Sequence, residues 1–338
     1  MQQFISSLLA FFTAILSIFG ISTDPNENEP IDLYHGGDPY IIEHNNETYY
    51  TFTTGGGIDI RKIKSFNDTE LIEQKTVFWV GDNGTIKDIW APEIHFINGK
   101  WYIISCAVFN SETVQRGLMP EETVHTEHDD YMRYTFVLES KTDDIFGEYA
   151  FKGILAPGSM NNIDGTYLKH NGKLYFVTSS YKAVAYQCLT ITEMENPYTL
   201  KTDNEGNSLT TLISTPELKW EIQGWRVNEG PAVLYKNNKT YIVYSASGFS
   251  SGEYCLGMLS LKGDDVLNAC SWQKSFTRVM YHQPIKNIYN AGHCSFLYRD
   301  NGDIYMIYHA TTEKDFYSSP RLTFLRKVNF ICDYPIFR

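Results

Sequence analysis

The sequence predicts an all-β protein, a five-bladed β-propeller that forms a single domain. Five pairs of apolar runs with strand-like alternation are each joined by an Asn- or Asp-rich turn, which is the pattern of a β-hairpin. The second strands carry Tyr50, Tyr102, Tyr175, Tyr241 and Tyr305, at intervals of 52, 73, 66 and 64 residues. Each interval leaves room for two more strands, no Pro- or Ser-rich linker interrupts the repeats, and radial four-stranded repeats are typical of propellers.

The five hairpins follow one plan along the chain. Their first strands open at Asp38-Pro39-Tyr40, Ala91-Pro92-Glu93, Asp164-Gly165-Thr166, Glu229-Gly230-Pro231 and Gly292-His293-Cys294. Their turns are Asn45-Asn46-Glu47, Asn98-Gly99-Lys100, Asn171-Gly172-Lys173, Asn237-Asn238-Lys239 and Asp300-Asn301-Gly302. Such turns tolerate the positive φ angles that match the twist of the two strands. We therefore predict that each hairpin is the inner pair of a four-stranded blade.

Four ionisable residues stand at the opening position of these hairpins: Asp38, Asp164, Glu229 and His293. In a propeller, the first residues of the inner strands surround one end of the axial channel, so these side chains are predicted to converge. Taken singly, Asp38-Pro39 and Asp164-Gly165 read as ordinary turn residues. Three carboxylates at one repeat position instead favour a functional site.

The chain begins with an apolar segment, since residues 4–20 contain no charged side chain. We interpret residues 1–22 as a signal peptide, 23–30 as a polar spacer and 31–338 as the propeller domain. An uncleaved membrane anchor is the alternative, because no Lys or Arg precedes the apolar run. Glycosylation sequons begin at Asn46, Asn67, Asn83 and Asn238. We expect a secreted, extracellular protein with no membrane association after cleavage.

The composition narrows the range of partners. The chain carries 40 Asp and Glu against 28 Lys and Arg, a net charge of -12. This charge argues against nucleic acid and anionic membrane surfaces as partners, whereas a neutral polysaccharide is compatible with it. The 6 cysteines contain no Cys-x-x-Cys pair, so no zinc site is expected, and their disulfide pairing stays open.

Five short motifs at the blade openings carry a family resemblance. They are Gly37-Asp38-Pro39-Tyr40, Trp90-Ala91-Pro92-Glu93-Ile94-His95, Ile163-Asp164-Gly165-Thr166, Val227-Asn228-Glu229-Gly230-Pro231 and Gly292-His293-Cys294-Ser295-Phe296. In this order they resemble the motifs of glycoside hydrolase family 43, above all its arabinofuranosidase-type members. The resemblance extends over roughly residues 30 to 328.

The resemblance implies a role for each of the three carboxylates. Asp38 corresponds to the general base, Glu229 to the general acid, and Asp164 to a carboxylate that raises the pKa of the acid and orients it. Inverting hydrolysis needs an ionised carboxylate to activate water and a protonated one to donate to the leaving oxygen. A like charge nearby disfavours ionisation, which would keep Glu229 protonated.

Further contacts are predicted around these carboxylates. The substrate-binding candidates are Trp90, Glu93, His293 and Arg321. Trp90 would stack on a furanose ring, with a core position between blades as its alternative. Arg321 belongs to a final segment that is similar to the family's Arg-containing last strand. Either Arg321 or Arg326 is expected to point into the channel, and Arg321 is the candidate for a substrate or carboxylate contact. The resemblance also implies that His293 faces a structural calcium ion in the axial channel, or else bonds the carboxylates; no cofactor is expected to be required.

The predicted function is that of a secreted, inverting, exo-acting α-L-arabinofuranosidase. It would remove terminal arabinose from the plant cell-wall polysaccharides arabinan or arabinoxylan, or from their oligosaccharides. The long segment at 108–130 is expected to close one side of the cleft, which favours exo over endo action. The alternatives are a β-xylosidase or an endo-arabinanase of the same family, and a non-catalytic carbohydrate-binding propeller.

Overall fold

The computed structural model describes residues 36–66, 68–79, 86–109, 133–157, 161–181 and 186–337. The predicted signal peptide and spacer, the sequons at Asn67 and Asn83, and most of the segment at 108–130 lie outside these residues. Where the chain is described, no helix has the length and apolarity to cross a bilayer. Asn46 and Asn238 are exposed in hairpin turns, where a glycan would extend into solvent.

Within the described residues, twenty-two strands form five antiparallel blades and a terminal hairpin. Blade 1 consists of β1 (Tyr40–His44), β2 (Glu47–Thr51), β3 (Gly57–Ser65) and β4 (Asp68–Trp79). Blade 2 consists of β5 (Ile86–Ile97), β6 (Lys100–Phe109), β7 (Arg133–Ser140) and β8 (Tyr149–Leu155). Blade 3 consists of β9 (Asn162–His170), β10 (Lys173–Ser180), β11 (Cys188–Asn196), β12 (Thr199–Leu200) and β13 (Thr210–Ser214).

The last two blades complete the ring. Blade 4 consists of β14 (Asn228–Lys236), β15 (Lys239–Ala246), β16 (Cys255–Leu261) and β17 (Trp272–Lys274). Blade 5 consists of β18 (Tyr289–Tyr298), β19 (Ile304–Thr311) and β20 (Leu322–Lys327), and is followed by the hairpin of β21 (Asn329–Ile331) and β22 (Tyr334–Ile336). Short 3₁₀ helices cover Lys219–Glu221, Ala269–Ser271, Pro284–Lys286 and Phe316–Ser318. The predicted five-bladed propeller is confirmed.

Two blades depart from the predicted four strands. In blade 3, the short strands β12 and β13 share the outer edge of β11. In blade 5, the chain leaves the sheet after β20 and forms the separate β21–β22 hairpin. The turn of that hairpin is fixed to blade 4, because Asn237 donates to the Asp333 carboxylate at 2.7 Å and the Tyr241 hydroxyl to the Asp333 carbonyl at 2.9 Å. These contacts take the last segment away from the edge of blade 5.

The inner strands β1, β5, β9, β14 and β18 each contact the next around the ring, and β18 contacts β1. Five apolar clusters lie between neighbouring blades, so both faces of most inner strands are buried. The junction of the first and last blades also includes a bond from the Ser295 hydroxyl to the Pro39 carbonyl at 2.9 Å. All six cysteines are unpaired, and Cys294 is buried.

A residue with left-handed backbone recurs where each inner strand begins. The φ angles are 60° at Asp38, 46° at Ala91, 55° at Asp164, 53° at Gly230 and 41° at His293. In blades 2 to 5 the strand register slips at this point, which is the mark of a β-bulge. Asp and His adopt this conformation more readily than most residues. The left-handed residue that recurs in every blade therefore re-aims side chains at the mouth of the channel.

Candidate active site

The mouth of the axial channel contains a pocket of about 210 Å³. It is lined by six of the predicted site residues, which are Asp38, Trp90, Asp164, Glu229, His293 and Arg321. Side chains from the second strands and the loops join them, among them Thr53, Gln187, Tyr254 and His309. The fold thus brings together residues that are far apart in sequence, as the repeat pattern predicted.

Asp38 is held as an ionised carboxylate by its neighbours. Its Oδ1 lies 3.0 Å from His293 Nδ1 and 3.4 Å from an Arg321 nitrogen. Burial raises the pKa of Asp38, but the positive charges of His293 and Arg321 outweigh it and hold the pKa well below its usual value. The Thr53 hydroxyl accepts the Ala91 N–H at 2.7 Å and donates to Asp38 Oδ2 at 2.6 Å. Asp38 therefore has the charge state of a general base.

The two histidines beside Asp38 carry different charges. Burial lowers the pKa of His293, but the Asp38 and Asp164 carboxylates outweigh it and raise the pKa to about 9. Burial, together with the nearby Arg321 cation, lowers the pKa of His309 well below its ordinary value. The backbone N–H of Asp38 donates to His309 Nδ1 at 3.1 Å, which requires that nitrogen to be unprotonated. His293 therefore supplies charge, and His309 fixes the backbone of Asp38.

Glu229 is held in its protonated form by its surroundings. Burial raises the pKa of Glu229, and the Asp164 carboxylate raises it further. The hydrogen-bond donors to Glu229 in the described part of the chain are neutral: the Tyr254 hydroxyl at 2.9 Å and the Gln187 amide at 3.2 Å. Burial also raises the pKa of Asp164, although His293 opposes this shift. Glu229 can therefore act as a general acid.

Glu229 enters the pocket one residue earlier in its strand than the other charged groups. The left-handed residue of blade 4 is Gly230, so the expectation that Glu229 occupies the same position as Asp38 and Asp164 is wrong by one residue. The register slips between Glu229 and Ala232, at the Gly-Pro corner. The Gly230 N–H donates to Asp164 Oδ2 at 3.0 Å, so Asp164 also fixes the backbone beside the acid.

Comparison with known proteins decides the family. Residues 28–333 match the family model of Glycosyl hydrolases family 43. The chain belongs to glycosyl hydrolase family 43.

Similar proteins come from several organisms. The extracellular exo-α-(1→5)-L-arabinofuranosidase of Streptomyces avermitilis is 33% identical over 312 residues, which are 88% of this chain and 60% of that protein. The protein of the same name from Streptomyces chartreusis is 29% identical over 91% of this chain and 90% of its own length. The crystal structure of an α-L-arabinofuranosidase from Lactobacillus brevis matches with a TM-score of 0.79 and 27% identity, covering 93% of this chain and 97% of that one.

Trp90 lines the pocket at the mouth of the channel and lies beside a cation. The Arg133 guanidinium covers its indole, 3.4 Å from the ring centroid, and donates to the Asp88 carboxylate at 3.1 Å. Trp90 is only partly buried and lines the pocket, which distinguishes it from a core residue between blades. Stacking of a furanose ring on Trp90 stays a prediction.

Glu93 does not line the pocket at the mouth, and its contact with substrate stays a prediction. Its carboxylate lies deeper in the channel, 2.8 Å from His95 Nε2, and accepts the Thr166 hydroxyl at 2.7 Å. It lines a separate cavity of about 290 Å³ farther along the channel, together with Tyr40 and Tyr167. Glu93 lies two residues beyond the bulge at Ala91, and this position takes its side chain past the mouth.

Arg321 rather than Arg326 points into the pocket. Its guanidinium lies against the backbone at Gly37, where a Cβ atom would come within 2.0 Å of it. Only glycine leaves room for this approach, which explains why Gly37 precedes Asp38. Arg326 is buried elsewhere and donates to the Phe337 carbonyl at 3.0 Å.

The side chains around His293 do not match a calcium site. Calcium takes six to eight oxygen ligands, whereas His293 Nδ1 faces Asp38 and Asp164 and its ring carries a positive charge. No group of three or more His, Cys, Asp or Glu suited to a metal occurs in the part of the chain that the structure describes. The calcium ion stays a prediction, and no catalytic step is assigned to it.

Another buried carboxylate, Glu221, lies behind Glu229. It is 0% exposed and lies 2.8 Å from Lys274 Nζ. The Tyr244 hydroxyl and the Asn228 amide donate to it at 2.8 and 3.0 Å, and the backbone N–H groups of residues 217 and 218 donate at 2.9 Å. Asn228 precedes Glu229, so this network anchors the start of the strand that carries the acid.

Sequence analysis missed several residues of the site. His309 was detectable, because it is a polar residue near the mouth end of the largely apolar second strand of blade 5, whereas Thr53 follows the end of β2 among other threonines. Tyr254 follows a loop, and nothing in its local sequence indicates a bond to Glu229. Its approach depends on Gly292, where a Cβ atom would lie 2.1 Å from the Tyr254 ring.

Proposed function

We propose that this chain is a secreted, inverting, exo-acting α-L-arabinofuranosidase. The observation that carries the proposal is the contrast between two carboxylates in one pocket: Asp38 lies beside His293 and Arg321, whereas Glu229 receives neutral donors within the described residues. These surroundings lower the pKa of Asp38 and raise that of Glu229, which favours an ionised Asp38 and a protonated Glu229. Inverting glycoside hydrolysis requires this combination, whereas a carbohydrate-binding surface does not. The names of the similar Streptomyces and Lactobacillus proteins support arabinose as the sugar released, and the word extracellular in the Streptomyces names supports secretion.

The reaction would proceed by a single displacement. Asp38 takes a proton from a water molecule as the water oxygen bonds to the anomeric carbon. The bond from that carbon to the glycosidic oxygen breaks, and Glu229 gives its proton to the leaving oxygen. Asp164 keeps Glu229 protonated before the step, and the charges of His293 and Arg321 keep Asp38 ionised. The substrate would be a terminal arabinofuranose of arabinan or of arabinoxylan side chains.

An activity panel tests this proposal. The purified protein would be assayed on 4-nitrophenyl α-L-arabinofuranoside, 4-nitrophenyl β-D-xyloside and linear arabinan, with Asp38→Asn and Lys141→Gln assayed in parallel. We expect arabinoside hydrolysis that is lost in Asp38→Asn and kept in Lys141→Gln, because Lys141 is an exposed residue that pairs with Glu148 and does not line the pocket. Proton NMR of the fresh product should show the inverted anomer.

Other outcomes assign other functions. Hydrolysis of the xyloside alone would make the chain a β-xylosidase, and internal cutting of arabinan would make it an endo-arabinanase. If arabinan binds but no substrate is cleaved, the chain is a binding module and the proposed hydrolase is wrong.

A further inference from the structure

Four aromatic side chains continue outward from the wall of the catalytic pocket. We name Trp225, Phe249, Phe316 and Tyr317 the aromatic ridge. Trp225 and Phe249 line the pocket itself. Ring centroids are 6.1 Å apart from Trp225 to Phe249, 5.2 Å from Phe249 to Phe316 and 5.4 Å from Phe316 to Tyr317. The ridge is therefore one continuous surface that begins at the pocket.

The ridge is exposed rather than part of the core. Trp225 is 60% exposed, Phe249 38% and Tyr317 80%. Single exposed apolar residues are ordinary, but a contiguous apolar surface leading out of a pocket is typical of a ligand-binding groove. The ridge has no role in the chemistry of the carboxylates. Its position suits contact with the part of a ligand that extends out of the pocket.

Local contacts hold the ridge in place before any ligand binds. The N–H groups of Trp225 and Gly248 both donate to the Gln223 carbonyl at 2.9 Å, which joins the two loops that carry Trp225 and Phe249. On the blade 5 side, the Asp315 carboxylate accepts the Tyr317 N–H at 3.2 Å and the Ser318 hydroxyl at 2.7 Å. A surface ordered in this way loses little conformational entropy on binding.

We infer that the aromatic ridge binds the sugar chain on the leaving-group side of the scissile bond, as successive subsites for a neutral, linear α-linked pentose oligosaccharide. This inference rests on the proposed function. In an exo-acting enzyme the reacting terminal sugar occupies the pocket, so the rest of its chain follows the surface that leaves it. Sugar rings present apolar C–H faces that pack on aromatic rings, while their hydroxyl edges stay in water. The ridge carries no charge, which suits a neutral chain.

Chain-length kinetics test the inference. We would measure kcat/KM of wild type, Phe316→Ala and Tyr317→Ala on 4-nitrophenyl α-L-arabinofuranoside and on α-1,5-linked arabino-oligosaccharides of two to five sugars. Tyr334→Ala is the matched control, because Tyr334 is 41% exposed and lies beside the hairpin turn of blade 4, at the opposite end of the channel. In wild type, kcat/KM should rise with chain length. Each ridge variant should lose roughly 2- to 10-fold on the longer chains through KM, and keep its rate on the aryl substrate.

The outcomes separate the ridge from the proposed function. If the aryl arabinoside is hydrolysed but chain length or the ridge variants have no effect, the inference is overturned and the proposed function stands. If no arabinoside is hydrolysed, the proposed function fails. Binding of arabinotetraose to Asp38→Asn, measured with and without the additional Tyr317→Ala change, then tests whether the ridge binds sugar. Equal binding by both proteins would overturn it. A ridge variant that changes only the oligomeric state, measured by light scattering, would overturn it in favour of a protein interface.

Discussion

Two glutamates at the entrance to blade 4 meet opposite surroundings. Glu221 is fully buried and pairs with Lys274 at 2.8 Å, with further donors from Tyr244 and Asn228. Glu229 receives only neutral donors within the described residues and faces the Asp164 carboxylate. A buried carboxylate that pairs with a cation and accepts several hydrogen bonds anchors the structure around it. A buried carboxylate that has a like charge instead of a cation keeps its proton, which is what a general acid needs.

The largest effect expected from this contrast is on catalysis. Glu229→Gln removes the proton donor, so kcat/KM on arabino-oligosaccharides should fall roughly 10²- to 10⁴-fold. The loss on 4-nitrophenyl α-L-arabinofuranoside should be much smaller, because nitrophenolate leaves without a proton. Steady-state kinetics on both substrates measure the difference. Asp38→Asn is the control, since loss of the base should affect both substrates alike; the same pattern in Glu229→Gln would contradict its role as acid.

The next largest effect is on stability, at the other glutamate. Lys274→Met leaves Glu221 buried without its cation, which should cost about 3 kcal/mol of unfolding free energy. Urea denaturation at neutral pH measures this change. Lys141→Met is the control, because Lys141 and its partner Glu148 are exposed and such a pair contributes less than about 1 kcal/mol. Equal stability of the two variants would show that Lys274 does not compensate Glu221.

The same contrast shows what the sequence could reveal. The hairpin turns and the spacing of the repeats are local signals, so they predicted five blades, and a shared repeat position brought Asp38, Asp164 and His293 together. Glu221 could not be found in this way, because its partner Lys274 lies at the far edge of the blade, 53 residues on. Nor does the sequence reveal that Glu229 precedes the left-handed residue of its strand by one position. Gly230 corresponds to Asp38 in backbone conformation, but the two residue types have nothing in common that a sequence pattern would show.

A third effect concerns pH. Glu229 must be protonated to act, so activity falls as pH rises through its pKa. Asp164 raises that pKa by its negative charge, and Asp164→Asn should therefore lower it and shift the basic limb of the kcat/KM profile to lower pH by about one unit. The acid limb belongs to Asp38, whose low pKa is set mainly by His293 and Arg321, and should move less. If the basic limb of Asp164→Asn stays at the wild-type pH, Asp164 positions Glu229 without changing its pKa.

The last effect is again on stability. Replacing Glu by Gln should stabilise the protein at position 229 and destabilise it at position 221. The folded-state pKa of Glu229 is raised, so the stability that its protonation contributes is complete below the unfolded pKa and is lost as pH rises through the folded pKa. Gln at this position has no proton to lose. Glu229→Gln should therefore match wild type near pH 4 and exceed its stability by roughly 1 to 3 kcal/mol at pH 7. Glu221→Gln should be less stable than wild type at pH 7, because it leaves Lys274 without its counter-charge. Urea titrations of the three proteins at both pH values measure these differences, and destabilisation by Glu229→Gln at pH 7 would mean that the acid is compensated as fully as Glu221.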